Sequence, residues 1–285
     1  MSAVSQRSDP QTASGTAPAA PRTSRRAPRG RPFFLRVTFL APLAVILLLL
    51  GVWQFISATG IMDELTLPAP TTVAESLWVD RAMYWDNAKV TLTEIVIGIV
   101  IGITLGVLLG IAIALQRVLR VALYPLVVGS QSLPVLALAP ILVLWLGFGI
   151  APKIVIVVQI IFFPVTVATI QGLSSVSSEV LVFGRSLGAS SWTLFWKVRV
   201  PAMLPYFFGG LKIASSYAAV AAVIAEWTGS DRGLGALMLR ANSDYNTEVV
   251  FGSVVIITVI GLSLFGLASL AERKLTPWAH ASRER

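Results

Sequence analysis

Hydrophobic residues along this chain come in long, nearly unbroken runs separated by short polar stretches. A run of about twenty apolar residues is long enough to cross a bilayer as a helix. Six runs are candidates: Val37–Ile56, Ile95–Leu115, Val121–Leu146, Ile154–Ile170, Tyr206–Ala225 and Val249–Leu270. The pattern predicts an all-α protein, a polytopic membrane bundle of six transmembrane helices. The third run holds Pro125, Pro134 and Pro140 and is expected to be kinked or broken; the fourth is short and holds Pro164. Inside a bilayer the backbone groups freed by proline are tolerated only where protein or a water-filled cavity satisfies them. Pro134, Pro140 and Pro164 therefore mark candidate pathway or gate segments. A kinked helix packed inside the bundle is an equal alternative.

The polar stretches differ from one another. Residues 1–32 are rich in Ser, Thr, Ala, Pro and Arg, with little to bury, and are expected to form a disordered basic tail. They do not have the layout of a secretory signal. Residues 33–285 would then form the transmembrane domain. Between the first two spans, Thr72 and Glu75 have capping-box spacing, which predicts a short helix from Val73. Trp78, Tyr84 and Trp85 follow and suit the membrane–water interface. The second span carries Gly98, Gly102, Gly106 and Gly110, a groove down one face where another helix packs closely.

Between the fourth and fifth spans, about 171–205, the chain is too long for a tight turn. Ser174–Ser178 offers N-caps for a helix running to about Leu187, and Gly188 stands where a left-handed C-cap belongs. Ser190 or Ser191 would cap a second short helix carrying Trp192, Phe195, Trp196 and Val198, with Pro201 and Pro205 punctuating the approach to the fifth span. Aromatics beside Lys197 and Arg199 suit a groove on another protein, or equally a helix lying flat on a leaflet.

Charge gives orientation. Charged residues make up only 13% of the chain, about half the share usual in soluble domains, and mean hydropathy is +0.79. The net charge of +8 comes with a strong asymmetry. Sixteen Lys and Arg fall on one side of the six-span topology (the N-terminal stretch through Arg36, Arg117, Arg120, Arg185, Lys197, Arg199 and the C-terminal tail). Five fall on the other: Arg81, Lys89, Lys153, Arg232 and Arg240. The positive-inside rule puts both termini in the cytoplasm of a multi-pass plasma-membrane protein. This makes the basic excess topological, and no nucleic-acid partner is expected.

Candidate chemistry is sparse. Cysteine is absent and His280 is the one histidine, which excludes thiolate and histidine-cluster chemistry. No Gly-Lys pair occurs, so there is no phosphate-binding P-loop. Lys212 lies just inside the fifth span, either functional or, as favoured, snorkelling or paired at the inner end. Glu226 ends that span and is read as a water-boundary residue, with a gating role as the alternative. Glu94 opens the second span, where a helix N-terminus favours a negative charge. No set of residues for intramembrane catalysis is visible.

One stretch then becomes recognisable. Gly188, nine residues, then Val198-Arg199-Val200-Pro201 resembles the signature loop of bacterial ABC-importer permeases: Glu-Ala-Ala, three residues, Gly, nine residues, Ile, one residue, Leu-Pro. Val182, Phe183 and Gly184 stand in place of Glu-Ala-Ala. Ser132-Leu-Pro134, Leu138-Ala-Pro140, Trp145-Leu-Gly-Phe-Gly149, Pro152-Lys153, Phe162-Phe-Pro164, Gly209-Gly-Leu-Lys212, Ala225-Glu-Trp227 and Gly233-Leu-Gly235 extend the resemblance over roughly residues 37–278. Together they resemble the nitrate/sulfonate/taurine-type subgroup, which includes riboflavin and thiamine-precursor permeases. The resemblance implies a type I ABC importer permease fold and a coupling segment from Gly188 to Pro201 (Gly188, Ala189, Ser190, Trp192, Phe195, Trp196, Lys197, Val198, Arg199, Pro201). Its implied partners are a separate ATP-binding subunit holding ATP and Mg, an extracytoplasmic solute-binding protein and a second permease subunit, expected as a homodimer. No cofactor is expected in this chain. The loop from Glu226 to Glu248 would face outside and help dock the binding protein. A secondary transporter or channel is the competing reading; it would need midspan ionisable groups or an internal repeat, and neither is evident.

Overall fold

The structure is a computed structural model describing residues 31–60, 62–63 and 65–281. The expected tail therefore lies outside the described residues, apart from Arg31 and Pro32. These open α1 (Arg31–Ala58), whose portion up to Leu49 belongs to a separate N-terminal unit. The second unit, Leu50–Arg285, holds the end of α1 and everything after it.

All described regular structure is helical. After α1 come α2 (Pro70–Val79), α3 (Arg81–Leu115), α4 (Arg117–Gly129), α5 (Val135–Leu146) and α6 (Ile150–Ser174). They are followed by α7 (Ser178–Ser186), α8 (Ser191–Leu194), α9 (Val200–Glu226), α10 (Leu234–Ser243), α11 (Thr247–Leu275) and α12 (Pro277–Ala281). Among the described residues, five helical stretches are long and apolar enough to cross a membrane, or six if the bent α4–α5 pair counts as one.

Helix packing decides that count. The glycine face of α3 receives a face of α6 with the same four-residue step. A Cβ added to Gly98 would collide with Val157, one on Gly102 with Ile161, one on Gly106 with Val165 and one on Gly110 with Thr169. Both residue series rise together, so α3 and α6 run parallel. Two parallel spans require the chain to return across the membrane between them, and α4–α5 is the only segment available. Counted with α1, the described residues then hold six candidate crossings, the third broken by 101°. The break lies at Ser130–Pro134, as its prolines predicted. Its freed groups have partners: Gln159 Nε2 donates to the Ser130 carbonyl at 2.9 Å, and Ser130 Oγ to the Val127 carbonyl at 2.6 Å.

The remaining order follows from contacts of the same kind. Gly172 meets Met203 while Gly210 meets Ala168 and the Pro164 carbonyl, so α6 and α9 are antiparallel. Lys212 pairs with Glu272 and Gly261 meets Ala219, so α9 and α11 are also antiparallel. The core sits where α3, α6 and α9 meet, around Ile95, Val157, Ile161, Val165, Ala214, Ala218 and Ala222. The alanines of α9 act as the glycines of α3 do, by letting backbones approach.

Several boundaries moved from expectation. α3 begins at Arg81, fourteen residues before the apolar run at Ile95. The reason is a buried face, Tyr84, Asn87, Ala88, Thr91 and Glu94, that continues the line of the glycines beyond the apolar stretch. Glu94 is accordingly more than three turns inside α3 and does not stabilise its N-terminus. α2 starts at Pro70, not Val73: proline at the first position suits a helix start, and Thr72 Oγ1 bonds the Ala69 carbonyl instead of capping. Trp78 and Trp85 are exposed, with Arg81 and Lys89 over their rings. Tyr84 is buried, not interfacial, and its hydroxyl lies 2.9 Å from Ser76 Oγ, against Gly252. Of the five basic residues assigned to loops opposite the basic end, only Arg232 lies in one.

The glycine ridge gives a direct prediction. Gly106→Val forces a side chain against the Phe162 carbonyl and Val165, and overpacking of this kind costs about 1–3 kcal/mol. Gly266→Val in α11, with no atom within 4 Å, is the control. Thermal unfolding of purified protein should show a lowered midpoint for the first and an unchanged or slightly raised one for the second.

Candidate functional site

Two regions at opposite ends of the bundle concentrate the polar and aromatic side chains that bulk apolar packing does not require. The first surrounds Gly188. α7 ends in a Schellman turn: Ala189 N–H donates to the Gly184 carbonyl at 3.1 Å and Gly188 N–H to the Arg185 carbonyl at 2.9 Å. This needs a left-handed residue, and Gly188 has φ +83° with open space around it. Its glycine identity therefore serves the backbone conformation alone. Ser190 then caps α8, accepting from Thr193 N–H at 3.2 Å. Leu194 packs into the space left by Gly184, holding α7 against α8.

Trp192, Phe195 and Trp196 form one ring cluster, with centroids 5.3 to 6.5 Å apart. Trp192 and Trp196 are exposed, as is Lys197, while Val198 and Arg199 are half-buried. Pro201 does not interrupt the chain as expected. Phe195–Arg199 widens into a π-helical turn in which Val200 N–H bonds the Phe195 carbonyl, five residues back. A wider turn keeps the Pro201 ring off the carbonyl it would otherwise strike. The second short helix is thus the beginning of the fifth span, a continuous stretch from Ser191 to Glu226 of 36 residues.

The second region lies at the far end of that stretch. Glu226 is 1% exposed, so it is no marker of the water boundary. Its Oε1 accepts from Thr91 Oγ1 at 2.6 Å and its Oε2 from Gly235 N–H at 2.5 Å. Thr91 Oγ1 in turn accepts from Leu234 N–H at 2.8 Å, and Asn87 Oδ1 from Gly233 N–H at 3.0 Å. The carboxyl thus sits at the start of α10, where backbone N–H groups favour an anion. Gly233 (φ +121°) lies so close to it that any side chain would strike the carboxylate.

Beside this, Lys153 Nζ lies 2.8 Å from Glu94 Oε1 and 2.6 Å from Ser230 Oγ. Together these bonds tie the connection from α9 to α10 onto α3 and α6. Sequence reading missed this convergence. Its signal was the spacing of Asn87, Thr91 and Glu94, which falls on the same helical face as the glycines. Lys212, expected to snorkel or pair, pairs with Glu272 at 2.7 Å at the Gly188 end. Pro134 and Pro140 are exposed on the broken span, whereas Pro164 turns its carbonyl toward Gly210.

Among the described residues no group of His, Cys, Asp and Glu has metal-site spacing.

Comparison with known proteins places these features in a context. Residues 98–277 match the family described as binding-protein-dependent transport system inner membrane component. Over 231 residues the chain is 38% identical to a probable ABC transporter permease protein of Haemophilus influenzae, covering 81% of this chain and 94% of the relative. It is 35% identical to the formylaminopyrimidine transport permease protein ThiX of Halalkalibacterium halodurans, covering 84% and 96%. It is 36% identical to the riboflavin transport system permease protein RibX of Chloroflexus aurantiacus, covering 82% and 88%. An inward-facing structure of the MetNI methionine ABC transporter superposes with a TM-score of 0.53 at 20% identity, covering 71% of this chain and 98% of that one.

The polar cluster makes a testable claim. Lys153→Met leaves the Glu94 carboxylate buried and uncompensated, a loss of about 3–5 kcal/mol where the burial is complete. Replacing both partners, Lys153→Met with Glu94→Leu, should restore most of that stability. Thermal unfolding of the two single variants and the double variant checks the cycle, which fails if the double is no more stable than Lys153→Met.

Proposed function

This chain belongs to the binding-protein-dependent inner-membrane components, the permease subunits of ABC importers, and on that premise we propose how it is driven and by what. An ATP-binding subunit docks on the Gly188 turn and the Trp192–Trp196 cluster. The observation that carries this is the unbroken helical stretch from Ser191 to Glu226. A force applied at Ser190–Trp192 travels along a continuous helix of roughly 54 Å, at 1.5 Å per residue, to the polar cluster around Glu226. Nucleotide-driven closure of the partner thereby shifts α9 against α3 and α6 and switches the side to which the pathway opens. The resemblance of Gly188 to Pro201 to the family's signature loop supports the same assignment.

The chain itself supplies no nucleotide site, in keeping with the absence of a Gly-Lys pair; ATP and Mg belong to the separate subunit. Both termini and the Gly188 segment face the cytoplasm, a reading supported by the basic residues at that end. The external binding protein docks at the opposite end, where Asp86, Lys89, Asp231, Arg232 and Arg240 line a polar depression of about 610 Å³. A second copy of the chain completes the pathway. The solute is a small heteroaromatic of the pyrimidine or flavin class, a choice supported by the relatives named for formylaminopyrimidine and riboflavin.

Gly188 offers the sharpest test. Asparagine tolerates a left-handed conformation far better than a β-branched residue does. In pull-downs with the cognate ATP-binding subunit, Gly188→Val should lose at least about tenfold in association while Gly188→Asn keeps most of it, the penalty being conformational. Full association of Gly188→Val, or of Trp192→Ala with Trp196→Ala, would place the ATPase elsewhere. For the solute, thermal shift of the cognate binding protein should respond to formylaminopyrimidine or riboflavin. A response to taurine alone would reverse the substrate assignment.

A further inference from the structure

At the Gly188 end, α3, α7 and the π-helical turn enclose a cleft of about 580 Å³. One wall is Val107, Ile111 and Leu115, three residues four apart on a single stripe of α3. The facing wall includes Trp196, and Arg185 and Arg199 complete the lining. The apolar run Ile95–Leu115 is about 31 Å long as a helix, one hydrocarbon thickness. Val107 to Leu115 therefore occupies about the last 12 Å of it, the acyl depth of one leaflet. A water-soluble subunit does not reach that depth, whereas a lipid chain lies there by default.

The two arginines line the same cleft as Leu115, where the apolar run of α3 ends and the headgroup region begins. Among the described residues neither forms an ion pair, while Arg120, Arg240 and Arg81 all bond to oxygens of this chain. Arg185 is exposed and Arg199 half-buried, so both guanidinium groups are available to an outside anion. Guanidinium forks match phosphate oxygens, and Trp196 is a residue type that settles at the interface. The combination requires an occupant with an apolar tail and an anionic head, held in register along one α3 stripe.

We propose that this cleft is a specific site for an anionic phospholipid, its phosphate between Arg185 and Arg199 and one acyl chain along Val107, Ile111 and Leu115. The cleft lies behind the surface proposed above for the ATP-binding subunit and shares Trp192, Phe195 and Trp196 with it, the lipid meeting their membrane side. A bound lipid would wedge α3 against the helical stretch that leads into α9, linking membrane composition to the stiffness of that connection.

Native mass spectrometry of the full chain in detergent tests this, with phosphatidylglycerol as the probe. Wild type should retain phosphatidylglycerol and not phosphatidylcholine. Arg185→Gln with Arg199→Gln should lower retention by roughly twenty- to thirtyfold, from about fivefold per arginine at a membrane surface. Arg273→Gln with Lys274→Gln, an equal loss of charge at the same end, should leave it within about twofold. Ile111→Trp, which fills the cleft and keeps both arginines, should also abolish retention, and decides the matter if the double arginine variant misfolds. Equal retention by Ile111→Trp and wild type would overturn the site. So would displacement of the lipid by millimolar inorganic phosphate, which would mark a soluble-anion site instead.

Discussion

The parallel contact between α3 and α6 is the constraint on which the rest of this structure depends. In a bilayer there is no hydrophobic drive to bring helices together, because lipid tails are as apolar as side chains. Close backbone approach has to supply the attraction, and four glycines on α3 facing Val157, Ile161, Val165 and Thr169 supply it. The register set by that contact fixes everything at both ends. At one end it brings Glu94 opposite Lys153. At the other it leaves Val107, Ile111 and Leu115 facing the π-helical turn. It also forces the chain back across the membrane between the two helices, through a span that its prolines had already weakened.

The two ends are specialised differently. At the Glu226 end, buried charges and backbone donors pair with one another, leaving Glu94 Oε2 without a partner, and bind a loop to three helices. Removing a single partner there is costly because the survivor stays buried. The Gly188 end is held by a backbone turn, aromatic packing and the half-buried Lys212–Glu272 pair, with Arg185 and Lys197 exposed. One end is thus locked and the other open to partners. The fifth span joins them without a break because the chain widens to accommodate Pro201 instead of stopping at it.

Much of this was legible in the residues. The spans, the broken third crossing, the glycine groove, the Gly188 turn and the Ser190 cap all rest on local rules of period, proline and glycine. Four of the misses share one cause. Glu226 was read as a water-boundary residue, Glu94 as the charge of a helix N-terminus, Lys153 as a cation between spans and Tyr84 as interfacial, each by its distance from an apolar run. Each is buried because something distant in sequence covers it: Thr91 and Gly235 meet Glu226, Lys153 meets Glu94, and Ser76 and Gly252 meet Tyr84.

By itself, then, the sequence determined which segments are long and apolar enough to cross a membrane, where the third is broken, how α7 ends and α8 begins, and which face of α3 another helix could approach. These follow from the bilayer's thickness, backbone hydrogen bonding and the absence of a Cβ, all local properties. Which helix filled the groove, in which direction, and which charges that register buried together were decided only by tertiary packing. Those outcomes depend on pairings up to 146 residues apart, such as Asn87 with Gly233, that no periodicity records.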